Sequence, residues 1–154
     1  MDVKLINPFL SAAVNVLKVM AFTDARAGKP YLKNDRKASG DVTGITGFSG
    51  DVEGSLSITF SADCIKGIIS NMFGDHVEEI NQEVEDAVGE ITNMICGDAR
   101  RQLSENGGYK LTATIPTVIS GLRHTVKHIS DGPFLAIPFE TDAGSFAVEV
   151  CFKQ

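Results

Sequence analysis

Apolar side chains recur along the chain with two periods, and each change of period marks a predicted element. Ile6, Phe9, Leu10, Ala13, Val14, Leu17 and Ala21 follow helical spacing on one face, while Ser11, Asn15 and Lys18 share the other. Lys4 ahead of the charge-free run 5–17 has the outline of a signal peptide, but the two-faced pattern within it identifies an amphipathic helix kept in the mature protein. Asn7 before Pro8 has the form of an N-cap with proline at the first helical position, where its missing N–H costs nothing, so the helix is expected to start there.

A polar stretch containing Gly28, Pro30 and Gly40 leads into period-two alternation. Residues 42–48 and 53–60 flank Ser49-Gly50-Asp51, and Leu56, Ile58 and Phe60 alternate with Ser55, Ser57 and Thr59, predicting a hairpin with one buried face. Ser61 is placed to cap a short helix whose apolar positions are Ile65, Ile68, Ile69, Met72 and Phe73, stopped by Gly74. The longest periodic segment runs over 81–105, with Val84, Val88, Ile91, Ile95, Ala99 and Leu103 as its core stripe and Asn106-Gly107-Gly108 as its end. Glu83, Glu85 and Asp86 near its start and Arg100 and Arg101 near its end suit the helix macrodipole. Strands return over 110–115, 116–122, 134–141 and 145–153, the last two joined around Asp142-Ala143-Gly144; Phe146, Val148, Val150 and Phe152 alternate clearly. The order predicts an α+β fold, with helices packed on a largely antiparallel or mixed sheet, in a single domain over residues 1–154.

Composition narrows the function. A net charge of −6 disfavours nucleic acid and anionic membranes as partners. No stretch approaches the ~18 uninterrupted apolar residues of a membrane span. Cys64, Cys96 and Cys151 show no CxxC spacing, so the simplest expectation is reduced thiols in the cytoplasm.

Most chemical motifs fail on inspection. His124 and His128 are four apart within strand-like alternation, where that spacing does not converge on one ion, so no metal site is expected. Gly44, Gly47, Gly50 and Gly54 lack phosphate-loop spacing and are assigned to turns and bulges. There is no GxSxG elbow, and no cysteine has a histidine beside it in sequence. The long helix differs. At 100° per residue, Glu90 lies at about 40° and Asn93 at about −20° from Asp86, opposite the core stripe, and Gly97 continues the same line. A carboxylate and a carboxamide one turn apart, beside the small residues Gly89 and Gly97, meet little steric obstruction from their own helix. An ordinary solvated helix face would carry such residues too.

Asp86-Ala-Val-Gly-Glu90-Ile-Thr-Asn93 resembles the D-x3-E-x2-N signature of the CheC/CheX/FliY phosphatases, which dephosphorylate the chemotaxis response regulator CheY. Asn7-Pro-Phe-Leu, the glycine-rich segment from Gly40 to Asp51, Ile115-Pro-Thr-Val-Ile and Ile137-Pro-Phe-Glu-Thr extend the resemblance to the CheX branch over nearly the whole chain. The resemblance implies that Glu90 and Asn93 are catalytic. Asn93 would orient a water for in-line attack on the receiver's acyl phosphate, and Glu90 would pair with the receiver's active-site lysine. Asp86 joins Glu90 as a partner-binding residue. An amide suits Asn93's task because it donates and accepts hydrogen bonds without adding negative charge near the phosphoryl oxygens. This chain would bind no metal or cofactor of its own, Mg²⁺ belonging to the partner receiver domain. CheC carries two such motifs, whereas here Ser11-Ala-Ala-Val-Asn15-Val-Leu-Lys18 has Asn and Lys where Glu and Asn would stand, which implies a single active helix. The resemblance further implies a homodimer. The competing readings are a CheX-like adaptor that binds a receiver without hydrolysis and a structural dimer module; an intact Glu90 and Asn93 pair argues against both.

Overall fold

Local preference and burial combine into three helices and eight strands in the computed structural model, which describes residues 3–35, 37–121 and 134–153. The elements are α1 (Val3–Ala21), β1 (Arg26–Ala27), β2 (Tyr31–Lys33), β3 (Val42–Gly50), β4 (Gly54–Phe60), α2 (Ala62–Phe73), α3 (Gln82–Gly107), β5 (Leu111–Ala113), β6 (Thr117–Ser120), β7 (Phe134–Glu140) and β8 (Ser145–Phe152). The strands form one sheet in the order β1-β7-β8-β4-β3-β5, with β2 also on β7 and β6 also on β3. Every pairing is antiparallel.

Register turns the alternation of each strand into continuous rows. Gly44, Ile58, Val148 and Ile137 lie side by side, as do Val42, Phe60, Phe146 and Phe139, and all of these but Gly44 belong to the hydrophobic core. Phe9 of α1 meets Phe48 and Phe152 at ring-centroid distances of 5.5 and 6.2 Å, fastening that helix to β3 and β8. Lys4, Asn7 and Ser11 line the same groove as Gln102 and Asn106, which sets the start of α1 beside the end of α3. The caps of α2 and the bounds of α3 follow the sequence closely: Ser61 Oγ accepts from Cys64 N, and Gly74 closes α2 at φ 76°.

Four expectations are corrected. Asn7 and Pro8 lie inside α1, not at its start, because Ile6 is buried and Leu5 packs on the core; tertiary burial extends the helix despite the proline. The 42–60 hairpin does not bury one face only. Lying between β3 and β8, β4 is buried at all seven positions, including Ser55, Ser57 and Thr59. The stretch after α1 contributes β1 and β2, two short edge strands on β7. In α2, Phe73 is 64% exposed, at the helix end where the core no longer covers it.

Among the described residues, the sheet face away from the helices holds a buried ion pair. Lys33 donates to Glu149 Oε1 at 3.0 Å and to the Lys37 carbonyl, while Gly40 N donates to Thr59 Oγ1, so the segment after β2 is tied to the centre of the sheet. Burial raises the Glu149 carboxyl above its usual 4.5, with Lys33 opposing the rise.

Candidate functional site

The site is built on α3, whose length and bounds follow from its caps. Asn81 Oδ1 accepts from Val84 N at 3.1 Å, satisfying one of the first-turn donors. At the other end Gly108 adopts φ 71° and its N–H reaches the Ser104 carbonyl at 3.0 Å, a left-handed closure that suits glycine. Between them Val84, Val88, Ile91, Ile95, Ala99 and Leu103 are all buried, as their spacing predicts.

One close approach sets the helix on the sheet. A Cβ added at Gly44 would lie 2.0 Å from Thr92 Oγ1 and 3.2 Å from Val88 Cγ1, so α3 occupies the space a side chain would fill. Thr92 Oγ1 is held there by donating to the Val88 carbonyl at 2.7 Å. Gly44 therefore sits within β3 to admit the helix and serves neither turn nor bulge, unlike Gly50, which ends β3 at φ 136°. Sequence reasoning missed this pair. Its signal was a small residue among the inward positions of β3, readable only once the facing helix was known.

With the inner stripe seated, the outer one is determined. Asp86, Glu90 and Asn93 are all exposed on one line of α3, as the 100° rotation requires. Asp86 Oδ1 accepts from Gln82 Nε2 at 2.8 Å, within its own helix. Glu90 and Asn93 take no hydrogen-bond or ion-pair partner among the described residues and present a free carboxylate and a free carboxamide to solvent. Beside them runs β6: Ser120 Oγ donates to Glu85 Oε1 at 2.6 Å, and Val118 Cγ2 lies 3.4 Å from where Gly89 would carry a Cβ. Close packing among the described residues does not explain Gly97, since beyond its own helix backbone and chain neighbours an added Cβ would meet only an Arg100 guanidinium nitrogen, at 4.0 Å.

The stripe is convex, a shape for entering another molecule's cleft. The groove of about 490 Å³ between the start of α1 and the end of α3 lies away from it. No thiol offers a nucleophile among the described residues: all three cysteines are buried, and burial pushes Cys64 up to about 11 and raises Cys96. No group of three metal-ligating side chains occurs among the described residues; His124 and His128 lie outside them. On α1, Asn15 Nδ2 donates weakly to Ser11 Oγ at 3.5 Å, and Lys18 is exposed.

Three helices on an open antiparallel sheet, with a polar stripe along the outer face of the longest helix, define the CheC-like class of fold. The crystal structure of a CheC-like superfamily protein from Shewanella sp. PV-4 superimposes with a TM-score of 0.92 at 45% identity, covering 100% of both chains. The model of the family described as chemotaxis phosphatase CheX matches residues 42–140. Over 139 residues, 90% of this chain and 88% of that protein, the sequence is 27% identical to the CheY-P phosphatase CheX of Thermotoga maritima. A chain of the CheX-CheY-BeF3-Mg²⁺ complex from Borrelia burgdorferi superimposes with a TM-score of 0.80 at 26% identity, covering 97% of each. This chain belongs to the chemotaxis phosphatase CheX family.

Proposed function

We propose that this chain is a phosphatase for the phospho-aspartate of a CheY-like receiver domain, acting through Asn93 and Glu90 of α3. The observation that carries the reading is the exposure of a carboxylate and a carboxamide one turn apart, both without partners among the described residues, on a helix face that the core and β6 leave open. Supporting it are the CheY-P phosphatase named at 27% identity and the CheX-CheY complex named at 26%.

In this reading α3 enters the receiver's site and Glu90 pairs with a lysine there, fixing the register of the helix. Asn93 accepts a hydrogen bond from a water and orients it in line with the phosphoryl group. The water oxygen bonds to phosphorus, the bond from phosphorus to the aspartyl oxygen breaks, and inorganic phosphate and free carboxylate result. Mg²⁺ belongs to the receiver, where it neutralises the phosphoryl oxygens. Asp86, already bonded to Gln82, contributes to partner binding at the edge of the contact. The chain acts as one domain, 1–154, in the cytoplasm and as a homodimer.

The test is the decay of a phosphorylated CheY-like receiver in Mg²⁺. Wild type accelerates it, and Asn93→Ala lowers kcat on the order of a hundredfold while receiver binding survives. Asn93→Asp fails likewise, because a carboxylate repels the phosphoryl oxygens. Binding without acceleration by wild type would replace this reading with the adaptor, and absence of both would remove the receiver as partner.

A further inference from the structure

We infer that Arg100, lying against Gly97, forms a second anchor of the docking surface, a socket for a carboxylate of the receiver near its phosphorylation site; this rests on the phosphatase reading above. Both residues continue the outer stripe of α3, at about 20° for Gly97 and about −40° for Arg100 relative to Asp86. Glycine inside a helix is destabilising relative to alanine, so its presence needs a reason. Packing among the described residues supplies none, since of these only the edge of the Arg100 guanidinium comes within 4 Å of the space over Gly97. Gly44 shows the contrast, because there the helix itself fills the space.

Arg100 is unusual among the cations of α3. Its side chain is partly buried, Nη1 donates to the Leu111 carbonyl at 3.3 Å, the guanidinium also interacts with the Cys96 side chain, and the buried Nε finds no hydrogen-bond partner among the described residues. It has no carboxylate partner among the described residues. Arg101, one position on, is exposed and closed by Asp98 at 2.6 Å and Glu105 at 2.9 Å. A partly desolvated guanidinium without a carboxylate among the described residues is a poor arrangement for the free protein, but it suits an incoming carboxylate, because the plane of the group is already held by the Leu111 carbonyl and Cys96 while Nη2 lies on the Gly97 side. The space beside it is a groove of about 390 Å³ between α3 and the Tyr109–Leu111 backbone, open over Gly97.

The occupant follows from charge. Glu90 and Arg100 stand ten positions apart, about 15 Å along the axis at 1.5 Å per residue, with Asn93 between them. The surface therefore carries a negative and a positive end. It accepts a partner with a cation at one end and a carboxylate at the other, and rejects the reversed orientation. Arg100 fixes alignment and does not touch the phosphoryl group, so it is a positioning residue.

Steady-state dephosphorylation with Arg100→Gln tests this. KM for the phosphorylated receiver rises about tenfold, kcat changes less than about twofold, and the salt dependence of kcat/KM weakens. Arg100→Lys, which keeps the charge, recovers part of the loss, and Arg101→Gln behaves as wild type. Gly97→Leu, placed where the chain itself has room, raises KM without lowering the melting temperature, and so covers the case in which Arg100→Gln disturbs folding. An unchanged KM in Arg100→Gln, or an equal rise in Arg101→Gln, overturns the inference. Should wild type bind a beryllofluoride-activated receiver without hydrolysing its phosphorylated form, the phosphatase reading falls and the dissociation constant of Arg100→Gln still decides the socket. Should wild type not bind, both fall.

Discussion

Replacing Gly44 with alanine tests how the sheet positions the site. The added Cβ would meet Thr92 Oγ1 at 2.0 Å, Thr92 Cβ at 3.0 Å and Val88 Cγ1 at 3.2 Å. Ordinary contact begins near 3.4 Å, so relief needs about 1.4 Å of movement, by the threonine side chain or by α3 as a whole. Rotating the side chain sacrifices the Thr92–Val88 bond, and moving the helix opens the packing of Val88, Ile91 and Ile95. Overpacking of this kind destabilises by about 1–3 kcal/mol, or about 2–4 °C in Tm per kcal/mol for a chain of this size. Asn93 adjoins Thr92, so a helix displaced by about 1 Å loses up to about a hundredfold in kcat while the protein remains folded. The assay is urea unfolding together with receiver dephosphorylation for Gly44→Ala, Thr92→Ala and the double variant. The double variant, without the clashing oxygen, recovers more than half of the stability, a coupling of about 1 kcal/mol or more. Wild-type stability and activity in Gly44→Ala, or zero coupling, would refute the close approach as the element that seats α3.

Lys33→Met leaves the Glu149 carboxyl buried and unpaired, and at neutral pH lowers stability by about 3–5 kcal/mol. Because burial raises the folded-state pKa of Glu149 above its usual 4.5, its contribution is present in full at acid pH and is lost as pH rises through that raised value. The stability of wild type relative to Glu149→Gln therefore falls from acid to neutral pH; a difference that grows with pH would contradict the assignment of burial as the dominant cause. Gly97→Ala raises stability by about 0.5–1 kcal/mol in urea unfolding, since among the described residues outside its own helix backbone the new methyl meets nothing closer than 4.0 Å; a loss would show hidden packing at that position.

Much of the architecture was legible because its causes are local. The N-cap Ser61 and the closing Gly74 and Gly108 act within one helical turn, and the structure places all three at helix ends. The alternation of Phe146, Val148 and Val150 is likewise a property of one strand, and their burial follows once the face is set. The Asp86, Glu90 and Asn93 stripe was legible for the same reason: helical rotation alone puts them opposite Val88 and Ile95. Expectations failed where distant partners decide. Asn7-Pro8 has the local form of a helix start, yet burial of Ile6 carries α1 past it. β1 and β2 are too short to show a period and exist because β7 offers them an edge.

The types of the longer elements, most of their ends and the side of α3 on which the polar groups stand were thus readable from the chain alone, since each depends on residues within about four positions of one another. Tertiary packing alone accounts for the burial of β4 on both faces, for the space Gly44 gives to Thr92, and for the space left open at Gly97 beside an Arg100 with no carboxylate partner among the described residues. Those properties depend on which surfaces meet, and the register of a sheet and the approach of a helix join residues that sequence spacing keeps apart.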